Sequence, residues 1–143
     1  MLDRITSHFD YCLIDTPPSL SSFVELSLVA ANEILLPLKA NEIDVKATEK
    51  FLNTVDAIKD INPNLSVSGI VFTMIKKGSK SQEIYTKMFV GHELEEKVCE
   101  TKIRDTVKLG LSSTKGADIF SFDPKGIGSQ DYKKLAQEVL TWN

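Results

Sequence analysis

The sequence predicts an α/β protein, a mainly parallel sheet with flanking helices. Three observations carry this. Short apolar runs bounded by breakers recur at residues 11–14, 33–38, 67–75 and 98–103. Between them, apolar residues return every three or four positions, the period of a helix face. Strands that alternate with helices imply right-handed crossovers and parallel pairing.

Residues 1–9 form a mixed lead-in with Leu2, Ile5 and Phe9 at helical spacing. Tyr11-Cys12-Leu13-Ile14 reads as a buried strand that Pro17 and Pro18 must end, since proline donates no backbone hydrogen bond. Ser19 is placed to cap a helix over 19–31, with Phe23, Leu26 and Ala30 on its apolar side. A second strand covers 33–38. An amphipathic helix over 45–61 repeats Ala47, Phe51, Leu52, Val55 and Ile58, and Asn62-Pro63-Asn64 ends it.

Residues 67–75 give the strongest strand signal, because Ile70-Val71-Phe72 is apolar without interruption, as expected of a strand buried on both faces. A helix is expected over 79–89, with Ile84, Tyr85, Met88 and Phe89 inward. Residues 98–103 alternate and read as a strand nearer an edge. Residues 106–113 are left without an assignment, and 117–122 read as a short fifth strand. The last helix, 129–142, places Tyr132, Leu135, Ala136, Val139 and Leu140 on one face. Neither repeat nor linker interrupts the pattern, so residues 1–143 are expected to form part of a single domain.

Composition excludes little. The 143 residues carry a net charge of −3, with no bulk bias toward nucleic acid or membrane. The distribution is uneven. Residues 1–71 hold 5 basic and 10 acidic residues, whereas 72–115 hold 9 basic and 6 acidic, the one block with a basic excess. Cys12 and Cys99, both in expected strands, read as buried thiols rather than a disulfide or a metal site. His8 and His92 lack partners at metal-ligand spacing. Without a membrane-length apolar run or a signal peptide, the expected location is cytoplasmic.

Asp15-Thr16-Pro17-Pro18-Ser19, at the carboxyl end of an expected strand, resembles the Walker-B-type segment of ParA-type partition ATPases, members of the deviant-Walker P-loop group that includes MinD. Further blocks are similar in the same order: Asn62-Pro63-Asn64-Leu65, then Gly69-Ile70-Val71-Phe72-Thr73-Met74, then Phe122-Asp123-Pro124-Lys125-Gly126 running into Tyr132 and Leu135. The resemblance covers nearly the whole chain and corresponds to the carboxyl-terminal part of that family's domain. It implies an incomplete P-loop NTPase (deviant Walker) fold. No G-x-x-x-x-G-K-[ST] occurs in these residues. Lys76-Lys77-Gly78-Ser79-Lys80-Ser81 has one glycine, lies after the Asp15 segment rather than before it, and reads as a loop.

The resemblance implies ATP and Mg²⁺ as ligands, with Asp15 holding Mg²⁺ through water and Asp15 and Thr16 at the catalytic end. Pro17 and Pro18 would shape the loop beside the γ-phosphate. Thr73, Met74 and Arg104 would lie on the base side. Arg104 and Asp105 replace the family's Pro-Arg at this place. Lys76, Lys77 and Lys108 would contact DNA phosphates without reading sequence. Implied partners are a second copy in the ATP-bound state, non-specific DNA and a centromere-binding ParB-type protein, with no membrane and a nucleoid-associated location.

Plainer readings stand beside these. Asp15 also suits the capping of a Pro-Pro turn. Thr73 and Met74 also suit ordinary strand termination, and exposed lysines are common. A receiver-type signalling domain also ends a strand in Asp before a proline-containing turn, but it needs an acidic pair on an earlier strand. A regulatory partner of a full-length relative is the third alternative. Because the strand that leads into a phosphate loop would lie beside residues 11–14, these residues are expected at an exposed, association-prone edge.

Overall fold

A computed structural model describes residues 8–17 and 21–142. The helical lead-in expected over residues 1–7, and the roles expected of Pro18 and Ser19, lie outside the described residues. The order of elements is α1 (Ser22–Ala30), β1 (Glu33–Lys39), α2 (Glu42–Lys59), β2 (Ser66–Thr73), α3 (Lys80–Thr86), one 3-10 turn (Glu95–Lys97), α4 (Val107–Thr114), α5 (Ile119–Phe122) and α6 (Ile127–Val139). Among the described residues β1 and β2 form a two-stranded sheet. Their pairing is parallel: Ser66 N–H donates to Asn32 O where both begin, and Thr73 Oγ1 donates to Leu38 O where both end. This is the expected α/β class.

The chain divides into two compact units, Met1–Ile34 with Thr48–Ser66, and Leu35–Ala47 with Val67–Asn143. In the first, Val24, Leu28, Val55, Ile58 and Leu65 are buried. The turn that was expected only to stop a helix does more. Asn62 Nδ2 donates to Leu28 O, Val29 O and Ala31 O at 3.0, 3.2 and 2.7 Å, satisfying carbonyls that the end of α1 leaves open.

Three expectations for this unit need correction. Residues 11–17 take no regular secondary structure, and Leu13 is 93% exposed. Residues 11–14 are exposed as expected, but they lie outside the sheet rather than at its edge. A strand needs neighbours to take up its N–H and C=O groups and to cover its faces. The buried side of α1 is Val24 and Leu28, while Phe23 and Leu26 face outward. Cys12 is exposed; only Cys99 is buried.

The second unit is built on β2, where Ile70, Val71 and Phe72 are at most 2% exposed. Val71, Cys99, Ile103 and Leu135 form its core, with Leu109, Val139 and Trp142 packed against them. Gly69 is required by this packing: a Cβ there would stand 2.3 Å from Trp142 Cη2. Residues 98–104 do run parallel to β2, through bridges Ile70 to Val98 and Ile75 to Arg104, but they are not the expected strand. Between the bridges the amides of Glu100 and Thr101 turn to the Glu138 carboxylate at 2.7 and 3.0 Å, which interrupts a ladder.

Residues 117–122, expected as a strand, instead hold α5. Asp118 caps it by accepting from Ser121 N at 2.8 Å, and the buried Ser129 Oγ donates to Ile119 O. The expected inward set on α3 is also revised. It ends at Thr86, Phe89 beyond it is buried against Phe72, but Ile84 and Met88 are exposed. On α6 the buried face is Gly128, Ser129, Asp131 and Leu135, rather than one led by Tyr132 and Leu140.

Candidate functional site

The carboxylate segment belongs to the first unit. Asp15, Thr16 and Pro17 are exposed and take no regular secondary structure. With Ile14 they border a hollow of about 380 Å³ whose other wall is α1, through Phe23 and Leu26. Pro17 donates no backbone hydrogen bond to close this stretch into a ladder. An exposed carboxylate followed by a hydroxyl suits Mg²⁺, which keeps several waters and needs only one or two carboxylates. Among the described residues no group of three or more His, Cys, Asp or Glu gathers as an all-protein metal cage.

The second hollow, about 630 Å³, lies in the other unit at the carboxyl end of β2. In parallel sheets that end is where ligands bind. It brings together three residues singled out in the sequence, Thr73, Met74 and Arg104, and adds Val107, Leu111 and Tyr132. Met74 has φ 54, the left-handed region that a side chain rarely adopts. Gln82 holds the turn there: its Nε2 donates to Met74 O at 3.2 Å and its Oε1 accepts from Lys76 N at 2.7 Å. Thr106 caps α4 by accepting from Lys108 N at 3.1 Å, which sets the opposite wall.

Arg104 is held in place. Its Nε donates to Asp131 Oδ2 at 2.9 Å, its Nη2 donates to Oδ1, and its own backbone N–H donates to Oδ2 at 3.0 Å. Burial works to raise the Asp131 carboxyl. The hydrogen bonds from Arg104, with its charge, outweigh burial and leave Asp131 below the usual carboxylate range. In turn the bond to Asp131 raises Arg104. Apolar walls with a few fixed polar groups fit a planar base. Neither hollow is lined by a lysine.

The three lysines expected to meet DNA are exposed and belong to the second unit. Lys76 Nζ lies 3.9 Å from Asp105 Oδ2, and Lys108 Nζ stands 5.8 Å from the centre of the Phe122 ring.

The sequence reading missed Asp131 and Glu138. A signal was there: Asp131, Leu135 and Glu138 are spaced by four and three, so they share the face that Leu135 buries. Two carboxylates on an apolar face call for buried partners.

The family described as AAA domain matches residues 1–67. The chain is 33% identical over 141 residues to the chromosome-partitioning ATPase Soj of Treponema pallidum, covering 98% of this chain and 55% of that protein. It is 29% identical over 139 residues to the chromosome partitioning protein ParA of Caulobacter vibrioides, covering 96% and 52%. It is 29% identical over 143 residues to the sporulation initiation inhibitor protein Soj of Bacillus subtilis, covering 96% and 54%. The chain thus spans about half the length of the curated relatives it matches.

Proposed function

This is a chain of the ParA type, similar to partition ATPases along nearly its whole length, and from that premise we propose that it works in Mg-ATP-dependent partition of DNA. The hollow at the end of β2 carries the proposal, since it gathers Thr73, Met74 and Arg104 where a base would lie. Met74, Val107 and Tyr132 would cover the ring faces of the base, and the Arg104–Asp131 pair would keep that wall in place. Asp15 would hold a water of Mg²⁺, with Thr16 beside it and Pro17 and Pro18 shaping the turn. Bound Mg²⁺ would neutralise phosphate charge. The phosphate cradle is supplied by no motif in these 143 residues.

In the intact protein the ATP-bound form would dimerise, contact DNA through Lys76, Lys77 and Lys108, and release it on hydrolysis stimulated by a ParB-type partner. Among the described residues no helix is long and apolar enough to cross a membrane. A cytoplasmic, nucleoid-associated location belongs to the same proposal.

Photolabelling with an azidoadenine nucleotide tests the base site. Label is expected on the peptide holding 103–114, competed by ATP and lowered in Met74→Ala. Label spread evenly over the chain would refute the assignment. In the intact protein, Asp15→Asn should lower ATP turnover about 10- to 100-fold, as expected for a group that acts on a metal through water. Unchanged turnover would remove Asp15 from the site. The 143 residues by themselves should not turn over ATP.

A further inference from the structure

A second lysine outside the expected DNA set converges on the same aromatic ring as Lys108. Lys115 Nζ lies 5.5 Å from the centre of the Phe122 ring, and Lys108 Nζ lies 5.8 Å from it. The two ammonium groups are therefore no more than about 11 Å apart. The convergence follows from the sequence. Lys108 is the second residue of α4 and Lys115 its C-cap, seven positions on, so both leave one side of the helix two turns apart. Phe122, the last residue of α5, lies within reach of both.

We propose that Lys108 and Lys115 form a paired phosphate contact on duplex DNA, with Phe122 holding both ammonium groups in position. This rests on the DNA-binding part of the proposed function and adds Lys115 and Phe122 to it. Two like charges so close are unfavourable unless something offsets them. The face of an aromatic ring attracts cations and offsets part of that cost. Carboxylates do not: none of the ion pairs among the described residues includes either lysine. Of the acidic groups adjacent in sequence, Asp118 accepts from Ser121 N through Oδ1 and caps α5.

Both lysines are exposed, and among the described residues neither has a carboxylate in ion-pair contact. Neither lysine lines the hollows that could enclose a small anion. An exposed cationic pair suits a regular row of phosphates on a duplex. Each lysine that meets a phosphate releases about one counterion, so binding falls with salt in proportion to the contacts made.

The test measures affinity of the intact protein, with Mg-ATP, for short duplexes of unrelated sequence across a range of salt. Lys115→Gln should weaken binding about eightfold at 0.1 M salt and make the salt slope shallower by about one. The loss should be the same on every duplex. Lys115→Arg should restore both affinity and slope. Phe122→Leu, which keeps apolar volume and removes the ring, should weaken binding about two- to fivefold. Lys50→Gln, on the exposed side of α2 in the other unit, removes the same charge and should leave the slope alone. If Lys115→Gln binds normally while Lys108→Gln does not, the paired contact is wrong and the DNA reading stands. If Lys50→Gln matches Lys115→Gln, the effect is net charge and the pair is refuted. If the unsubstituted protein binds no duplex, both readings fall.

Discussion

Arg104 and Asp131 are joined three times over, because the Asp131 carboxylate accepts from the Arg104 backbone amide, Nε and Nη2. The side chain of Asp131 is 5% exposed and that of Arg104 is 43% exposed. One end of the pair is therefore in the core and the other borders the hollow at the end of β2. The contact fixes the approach to α4 onto α6, and with it one wall of the proposed base site.

Removing the buried partner should cost more than removing the exposed one. Asp131→Ala should destabilise the protein by about 1–3 kcal/mol, the range for hydrogen bonds to a charged group in a partly screened pair. Asp131 sits below its usual range in the folded state. Its contribution is therefore complete above the unfolded carboxylate pKa and is lost as pH falls through the lower folded value. Denaturant melts at neutral and acid pH check this. The Ala variant should lose part of the acid sensitivity, and equal sensitivity in both proteins would refute the role.

The two thiols should react very differently. Cys99 is buried, and burial first, with the nearby Glu138 charge, pushes it up to about 11. At pH 8 about one part in a thousand of it is thiolate, the reactive form. Cys12 is exposed. Alkylation at pH 8 followed by peptide mapping should modify Cys12 quickly, and Cys99 only after unfolding. Rapid native labelling of Cys99 would contradict its place in the core.

A methyl group at position 69 should displace the tryptophan. The added Cβ of Gly69→Ala would fall 2.3 and 2.5 Å from ring carbons of Trp142. The ring must move outward, at a cost of about 1–3 kcal/mol. Emission from Trp142, the single tryptophan, should shift to longer wavelength as water reaches it. An unshifted spectrum with unchanged stability would show that the contact is not needed.

Asn62 should matter more than a turn residue ordinarily does. Asn62→Ala removes an amide whose two N–H groups are shared among three carbonyls at the end of α1. The loss should be about 1–2 kcal/mol, since the freed carbonyls regain only part of their bonding from water. Asn62→Asp should be at least as damaging, because a carboxylate cannot donate. Thermal melts of both variants would decide.

Much of the fold was written in local pattern. The uninterrupted Ile70-Val71-Phe72 run marks a strand buried on both faces, and the three- and four-residue spacing over 45–61 marks α2. Thr73, Met74 and Arg104 were grouped only by resemblance, and the structure brings all three to the hollow at the end of β2. Tertiary contacts decided the rest. Residues 11–14 have the composition of a strand, but strand structure depends on neighbours that composition does not supply. Residues 98–104 alternate as a strand would, and the Glu138 carboxylate takes two of their amides. Asp118 had the chemistry of a helix cap, but its choice of α5 over a strand depended on Ser129, 11 positions away, bonding to the Ile119 carbonyl. Local sequence specifies what a segment is able to form. Which groups are left for it to bond to is settled only when distant segments meet.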